Sequence, residues 1–137
     1  MSNSAKIVKK SLNVILDTNF LVDLFRFRVS LDEIEDVAGG PCAFLMVRQS
    51  VDELKKMKNK YAKVGLGFID SGKIKIVSAL GRTADDAIMS LLKSAKRKKE
   101  IKSIVVATND AKLRKRVNAL GVKVIYLRAR KHLEIIN

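Results

Sequence analysis

Asp17, Glu53, Asp85, Asp86 and Asp110 are the side chains of this 137-residue chain best placed to do chemistry. Asp17 ends the apolar run of Leu16-Asp17-Thr18-Asn19, and Asp110 ends Ala107-Thr108-Asn109-Asp110. Glu53 falls in the first turn of the helix expected after a second apolar run, and Asp85-Asp86 in the first turn of the helix after a third. In open α/β sheets, positions just beyond the carboxyl ends of the strands meet at one edge. Carboxylates gathered there repel one another, and they stay ionised only when cations neutralise them. An all-oxygen donor set of this kind suits Mg2+ or Mn2+, with water and substrate phosphate completing the shell. An ion so held can activate a water and stabilise charge on a phosphodiester, and two ions about 4 Å apart can also clamp the leaving oxygen.

Each acid also has a simpler role open to it. Asp17 or Asn19 could cap a helix, and Glu53 could be the capping-box partner of Ser50. Asp85, Asp86 and Asp110 could act as first-turn charges on helix dipoles. Asp23, Asp32, Glu35, Asp36, Asp52 and Asp70 sit where solvent exposure is the default. Other catalytic sets lack parts: with one cysteine, Cys42, and one histidine, His132, neither a structural zinc site nor a Cys-His pair can be assembled. Cys42 lies in an apolar run and reads as a small buried hydrophobe.

The elements that must position these acids alternate. Five short apolar runs predict strands: Leu12 to Leu16, Ala43 to Val47, Ile74 to Val77, Ile104 to Ala107 and Val122 to Leu127. They are rich in Val and Ile, and three are nearly continuous rather than alternating, which predicts a sheet covered on both faces. Helices are expected over Phe20 to Phe27 and after Ser30, where Glu33 completes a capping box and Gly39-Gly40-Pro41 ends the run. Further helices are expected from Ser50 through Lys60, after Thr83, and over Ala111 to Leu120 before Gly121. Strands alternating with helices mean right-handed crossovers and a doubly wound, three-layer α/β/α sandwich with a parallel sheet. Nothing divides the chain by composition, so residues 1–11 read as a basic N-terminal segment and residues 12–137 as one domain.

Charge narrows the partner. Twenty-eight Lys and Arg against fourteen Asp and Glu leave +14, and Lys93 to Lys131 carries fourteen basic residues and only two acids. Such an excess favours polyanions through counterion release. No apolar run approaches the roughly 20 residues that span a bilayer, and no long amphipathic basic helix is evident, so no membrane partner is expected. The polar start of the chain has no signal-peptide core, which predicts a cytoplasmic protein.

At the acid-bearing segments the chain resembles the PIN-domain nucleases, from Asn13 to about Leu133. The motifs that carry the resemblance are Val14-Ile15-Leu16-Asp17-Thr18-Asn19, Ser50-Val51-Asp52-Glu53-Leu54-Lys55-Lys56, Thr83-Ala84-Asp85-Asp86-Ala87-Ile88 and Ile104-Val105-Val106-Ala107-Thr108-Asn109-Asp110. The last continues through Leu113-Arg114-Lys115-Arg116 to the strand ending at Leu127. The resemblance implies a five-stranded parallel sheet in the order 3-2-1-4-5 and Mg2+- or Mn2+-dependent endoribonuclease activity. It makes Asp17, Glu53, Asp85 and Asp110 the metal-binding acids, with Asn19 orienting Asp17 and with Thr108 and Asn109 shaping the pocket. Asp85 and Asp86 compete for the third place. From Asp85 apolar residues fall three, four and seven positions on (Ile88, Met89, Leu92), whereas the seventh from Asp86 is Lys93, which favours Asp85 and leaves Asp86 a supporting or capping part.

Within the family, the Ala-Thr-Asn-Asp run and the basic helix after it are most similar to archaeal and eukaryotic ribosomal-RNA-processing members. Toxins of toxin–antitoxin pairs share the acids but are usually less basic. The stretch holding Lys96, Arg97, Lys98 and Lys99 departs from the short connection of such toxins: it is either an RNA-grasping extension or a longer solvated helix end. With Arg114 and Arg116 it supplies the candidate RNA contacts. The resemblance also implies a homodimer, since many relatives pair, and on the toxin alternative an antitoxin partner.

Two other phosphate-handling sheets fit poorly. A receiver domain needs a neighbouring acidic pair at its first loop, and a haloacid-dehalogenase-like phosphatase needs an aspartate two positions after Asp17, where Asn19 stands. An RNA-binding or assembly module that keeps the acids without cutting remains the competitor from another class.

Overall fold

The computed structural model describes Ile7 and residues 11–136. Apart from Ile7 and Ser11, the basic N-terminal segment expected over residues 1–11 lies outside the described residues.

Five parallel strands form the sheet: β1 (Leu12–Leu16), β2 (Cys42–Val47), β3 (Ile74–Val77), β4 (Ile104–Ala107) and β5 (Lys123–Arg128). They stand in the order 3-2-1-4-5, and β6 (His132–Ile136) adds an antiparallel sixth strand beside β5. The five-stranded expectation therefore misses one strand. The β5–β6 turn is built from Ala129 and Arg130, both at positive φ (52° and 62°), and closes with Lys131 N–H donating to the Arg128 carbonyl at 3.1 Å. Two successive positive φ values are the mark of a tight hairpin turn, which sequence usually announces with Asn-Gly or Asp-Gly.

Alternation along the strands fills two separate cores. Val14, Leu16, Phe44, Met46, Val105 and Ala107 face one side; Ile15, Val47, Val106 and Val124 face the other. The first side is covered by α1 (Thr18–Arg26), α2 (Leu31–Ala38), α3 (Arg48–Lys56) and α4 (Lys60–Asp70). The second is covered by α5 (Ala84–Arg97) and α6 (Ala111–Ala119). This is the expected three-layer sandwich.

Local chemistry explains where the helices start. Asp17 caps α1, accepting from Thr18 N–H at 3.0 Å, so that helix begins two residues before the expected Phe20. At α2, Glu33 Oε2 accepts from Ser30 N–H at 2.7 Å, and Gly39 closes the helix in the left-handed region. The third helix departs from expectation. It begins at Arg48 rather than Ser50, ends at Lys56, and the chain then starts α4 with Asn59 accepting from Ala62 N–H. Ser50 is thus inside α3 and Glu53 lies in its second turn, free of the expected capping box. Gly65 and Gly67 hide α4 from a periodicity reading. Gly65 allows a close approach of α4 to α1, because a Cβ there would lie 3.1 Å from Leu21 Cδ2 and press on that side chain.

Candidate active site

The carboxyl ends of β1 and β4 lie side by side, since Leu16 pairs with Ala107 and Asp17 N–H donates to the Ala107 carbonyl at 2.9 Å. Asp17 and Asp110, 93 positions apart in sequence, are brought to this edge by that pairing. Thr108, fully buried, joins them: its hydroxyl donates to Asp17 Oδ2 at 2.8 Å and accepts from Asp110 N–H at 3.0 Å. Asp110 Oδ1 in turn caps α6, accepting from Lys112 N–H at 2.8 Å and from Leu113 N–H at 3.3 Å.

Glu53 reaches the same edge from α3. Thr18, the residue after Asp17, donates its hydroxyl to Glu53 Oε1 and so ties the second acid to the first. The first turn of α5 supplies Asp85 and Asp86. Thr83 caps that turn, accepting from Asp86 N–H at 3.1 Å. Asp85 is half-buried and faces the other acids, whereas Asp86 is exposed and stands 3.5 Å from Arg116.

The electrostatics record this crowding. Burial pushes the Asp17 carboxyl up to about 6, the charges of Asp85 and Glu53 push in the same direction, and the hydrogen bonds from Thr108 and Thr18 oppose them. Asp85 is also raised, by burial first and then by the charge of Asp110, with Glu53 and Asp86 adding to it and Arg116 working against it. Each acid therefore lies within electrostatic reach of the next, and the cluster holds more negative charge than its cations offset. As the side chains stand, no three acidic, histidine or cysteine side chains among the described residues form a ready-made metal site. The donor chemistry nevertheless fits a hard divalent cation: it is all oxygen, and its carboxylates are raised by one another's charge.

The remaining residues singled out from sequence are placed unevenly. Asn19 is exposed, and Asp17 takes its hydrogen bonds from Thr18 and Thr108 instead. Asn109 bridges two elements: its carbonyl oxygen accepts from Leu127 N–H at 2.8 Å, and its amide donates to Asp23 Oδ2 at 3.3 Å. Asp23 thereby has a partner at the site's margin, contrary to its default of exposure. Arg114 lies over the Tyr126 ring at 5.4 Å. Lys96, Arg97, Lys98 and Lys99 are exposed at the far end of α5, about 16 Å along the axis from Asp85 to Lys96. Cys42 is half-buried and not paired in a disulfide.

Two positioning elements were not read from the sequence. Thr18 is one, and its position beside Asp17 at a strand end is the signal that could have found it. Gln49 is the other, four residues before Glu53 and so on the same face of α3. Its Nε2 donates to the carbonyls of Ala79 at 2.9 Å and Gly81 at 2.8 Å, pinning the β3–α5 loop. Gly81 has φ +149°, and a Cβ there would stand 2.6 Å from Ala87 N and 2.9 Å from the Asp86 carbonyl carbon. Gly81→Ala must therefore displace the backbone that carries Asp85. We expect it to lower stability by about 1–3 kcal/mol and to depress divalent-ion affinity, as read by thermal unfolding with and without Mn2+. An unchanged midpoint in both conditions would contradict that placement.

The architecture is an α/β/α sandwich with carboxylates along the carboxyl edge of a parallel sheet. The chain belongs to the PIN-like domain family, which matches residues 14–130. Ribonuclease VapC4 of Methanocaldococcus jannaschii is 28% identical over 131 residues, covering 89% of this chain and 95% of that protein. The solved structure of the PIN domain endonuclease Utp24 superposes with a TM-score of 0.73 at 20% identity, covering 90% of each chain. That likeness extends to the fold, including the 3-2-1-4-5 order. No helix among the described residues is long and apolar enough to cross a membrane.

Proposed function

We propose that this protein is a divalent-metal-dependent endoribonuclease that hydrolyses RNA phosphodiester bonds in the cytoplasm. The observation that carries the reading is the gathering of four acids from four separate segments at one sheet edge, in a chain of the PIN-like domain family. The similarity to a protein named as a ribonuclease supports RNA as the substrate, and so does the +14 charge.

In this reading Asp17, Glu53, Asp85 and Asp110 hold Mg2+ or Mn2+, with Asp86 in support. The ion, when bound, supplies charge neutralisation at the phosphodiester and acidifies the attacking water. The chain's own residues do the positioning. Thr108 fixes Asp17 and the first turn of α6 in one contact, so those two acids cannot drift apart. Thr18 holds Glu53 against Asp17. Arg116, on the Asp86 side, offers a cation to the incoming phosphate. Burial of Asp17 keeps its carboxylate poorly hydrated and so available to an ion rather than to bulk water.

Processing of ribosomal RNA is the cellular role we favour, because the basic excess suits a large structured RNA. A toxin ribonuclease restrained by an antitoxin would instead arrest growth on expression. Incubating the purified chain with single-stranded and ribosomal RNA tests the enzyme directly. Cleavage is expected in Mg2+ or Mn2+ and none in EDTA. Binding should weaken about 50-fold between 50 and 200 mM salt if about four phosphates of a single strand are contacted. Cleavage that persists in EDTA, or binding indifferent to salt, would count against the proposal.

A further inference from the structure

Leu80 is 84% exposed, the most exposed large hydrophobic side chain among the described residues. It is not on a loose loop. Gln49 holds the carbonyls on either side of it, at Ala79 and Gly81, and Gly81 packs against the backbone of Asp86 and Ala87. An aliphatic side chain is thus presented to solvent at a fixed position beside the helix that carries Asp85. Behind it runs a groove of about 520 Å3 between the end of β3 with this loop and one side of α5, bordered by Ile7 and Val77 and lined along α5 by Ser90, Leu91, Ser94, Arg97 and Lys98. Ser90, Ser94 and Arg97 fall at helical spacing on one face, so two hydroxyls and a guanidinium follow one another along the groove. Glu100 is the carboxylate on its lining, at the far end.

We propose that this groove seats the single-stranded RNA flanking the cleaved bond, with Leu80 against a base and with Ser90, Ser94, Arg97 and Lys98 along the sugar-phosphate backbone. The inference rests on the ribonuclease reading and extends it to a substrate path. An unstacked base offers an apolar face that a fixed aliphatic side chain can cover, and the backbone supplies the anions and acceptors that hydroxyl, guanidinium and ammonium donors need. The lining is half polar in character and its charged groups are mainly cationic, which favours a nucleic acid over an apolar protein segment. It also gives the Lys96–Lys99 end of α5 a function despite its distance from the acids: the strand would run from the acidic edge, over Leu80, toward that basic end.

The test is the affinity of the full-length protein for a labelled single-stranded RNA of about 15 nucleotides, a length within reach of one extended groove. It is read by fluorescence anisotropy in EDTA, so that binding is scored without cleavage. Ser94→Glu is expected to weaken binding about tenfold, and Leu80→Ser, an exposed change that leaves the core untouched, about three- to fivefold. Gly67→Glu adds the same charge on α4, on the opposite face of the sheet and with open space for its side chain; it should change affinity less than about twofold. Parent-like binding by both groove variants, or equal weakening by Gly67→Glu, overturns the groove. So does a change in oligomeric state on Leu80→Ser with RNA binding unchanged, which would assign the face to a second copy. If the parent cuts RNA in Mn2+ while the variants bind normally, the groove fails and the nuclease reading stands. If the groove variants weaken binding as predicted but the parent never cuts, the RNA path stands and the nuclease reading fails.

Discussion

Asp17→Asn is expected to reduce RNA cleavage by at least about 10^3-fold, equivalent to about 4 kcal/mol of transition-state stabilisation, while making the metal-free protein more stable. The two effects have one cause. Asp17 is 8% exposed, and its carboxyl is raised from 3.8 to about 6, chiefly by burial. A folded-state value above the unfolded one means that the stability this group contributes is fully present below about 4 and is lost as pH rises through about 6. At pH 7 the ionised carboxylate therefore costs the metal-free fold on the order of 3 kcal/mol. Asparagine removes the charge but has one acceptor oxygen for two donors, the Thr18 N–H at Oδ1 and the Thr108 hydroxyl at Oδ2, so the net gain should be nearer 1–2 kcal/mol. Thermal unfolding in EDTA at pH 7 should show a higher midpoint for Asp17→Asn than for the parent, with the difference shrinking as pH falls and reversing by about pH 4, where only the lost hydrogen bond remains. A lower midpoint in EDTA at pH 7 would mean that the carboxylate serves the fold and not an ion.

Thr108→Val has the second-largest expected effect, because one buried hydroxyl serves two acids. Valine keeps the shape but leaves Asp17 Oδ2 without its donor and Asp110 N–H without its acceptor. An unsatisfied buried donor costs about 1–3 kcal/mol, and loss of a group that orients a metal ligand costs about 10- to 100-fold in affinity or activity. The Thr108 hydrogen bond is the strongest influence holding the Asp17 carboxyl down. Without it that carboxyl rises further, and the acidic limb of the cleavage–pH profile should move to higher pH. Thr108→Ser keeps the hydroxyl and should restore both rate and profile. A valine variant with parental rate and profile would show that Asp17 needs no such partner.

The central sheet was readable because β1, β2 and β4 are apolar runs largely buried on both faces, a pattern that sequence displays directly, although the edge strand β3 exposes Lys75. The placing of Asp17 and Asp110 at one edge follows the same logic, since a residue just past a buried parallel strand has only one edge to occupy. What escaped was set by tertiary contacts. At β6, Ala129 and Arg130 take a backbone conformation that their types do not advertise. Gly65 and Gly67 weaken the helical signal of α4, although the first is there to let α4 approach Leu21. The Ser50–Glu53 spacing matches a capping box, yet α3 starts at Arg48 and the Glu53 carboxylate meets Thr18 instead. That bond spans 35 residues, and the Thr108–Asp17 bond spans 91, so no local pattern encodes either. The Gln49 clamp on Ala79 and Gly81 was equally invisible, because an amide four residues before Glu53 reads as an ordinary exposed helix position.

Direct titration with Mn2+, following the free ion by electron paramagnetic resonance, puts the shared acidic edge to its most direct test. The parent should bind saturably at pH 7, Asp85→Asn should bind more weakly, and Asp17→Asn should bind no ion in the same range. Retention of parental Mn2+ affinity by Asp17→Asn and by the Asp17→Asn, Asp85→Asn double variant would show that these carboxylates do not serve a common ion.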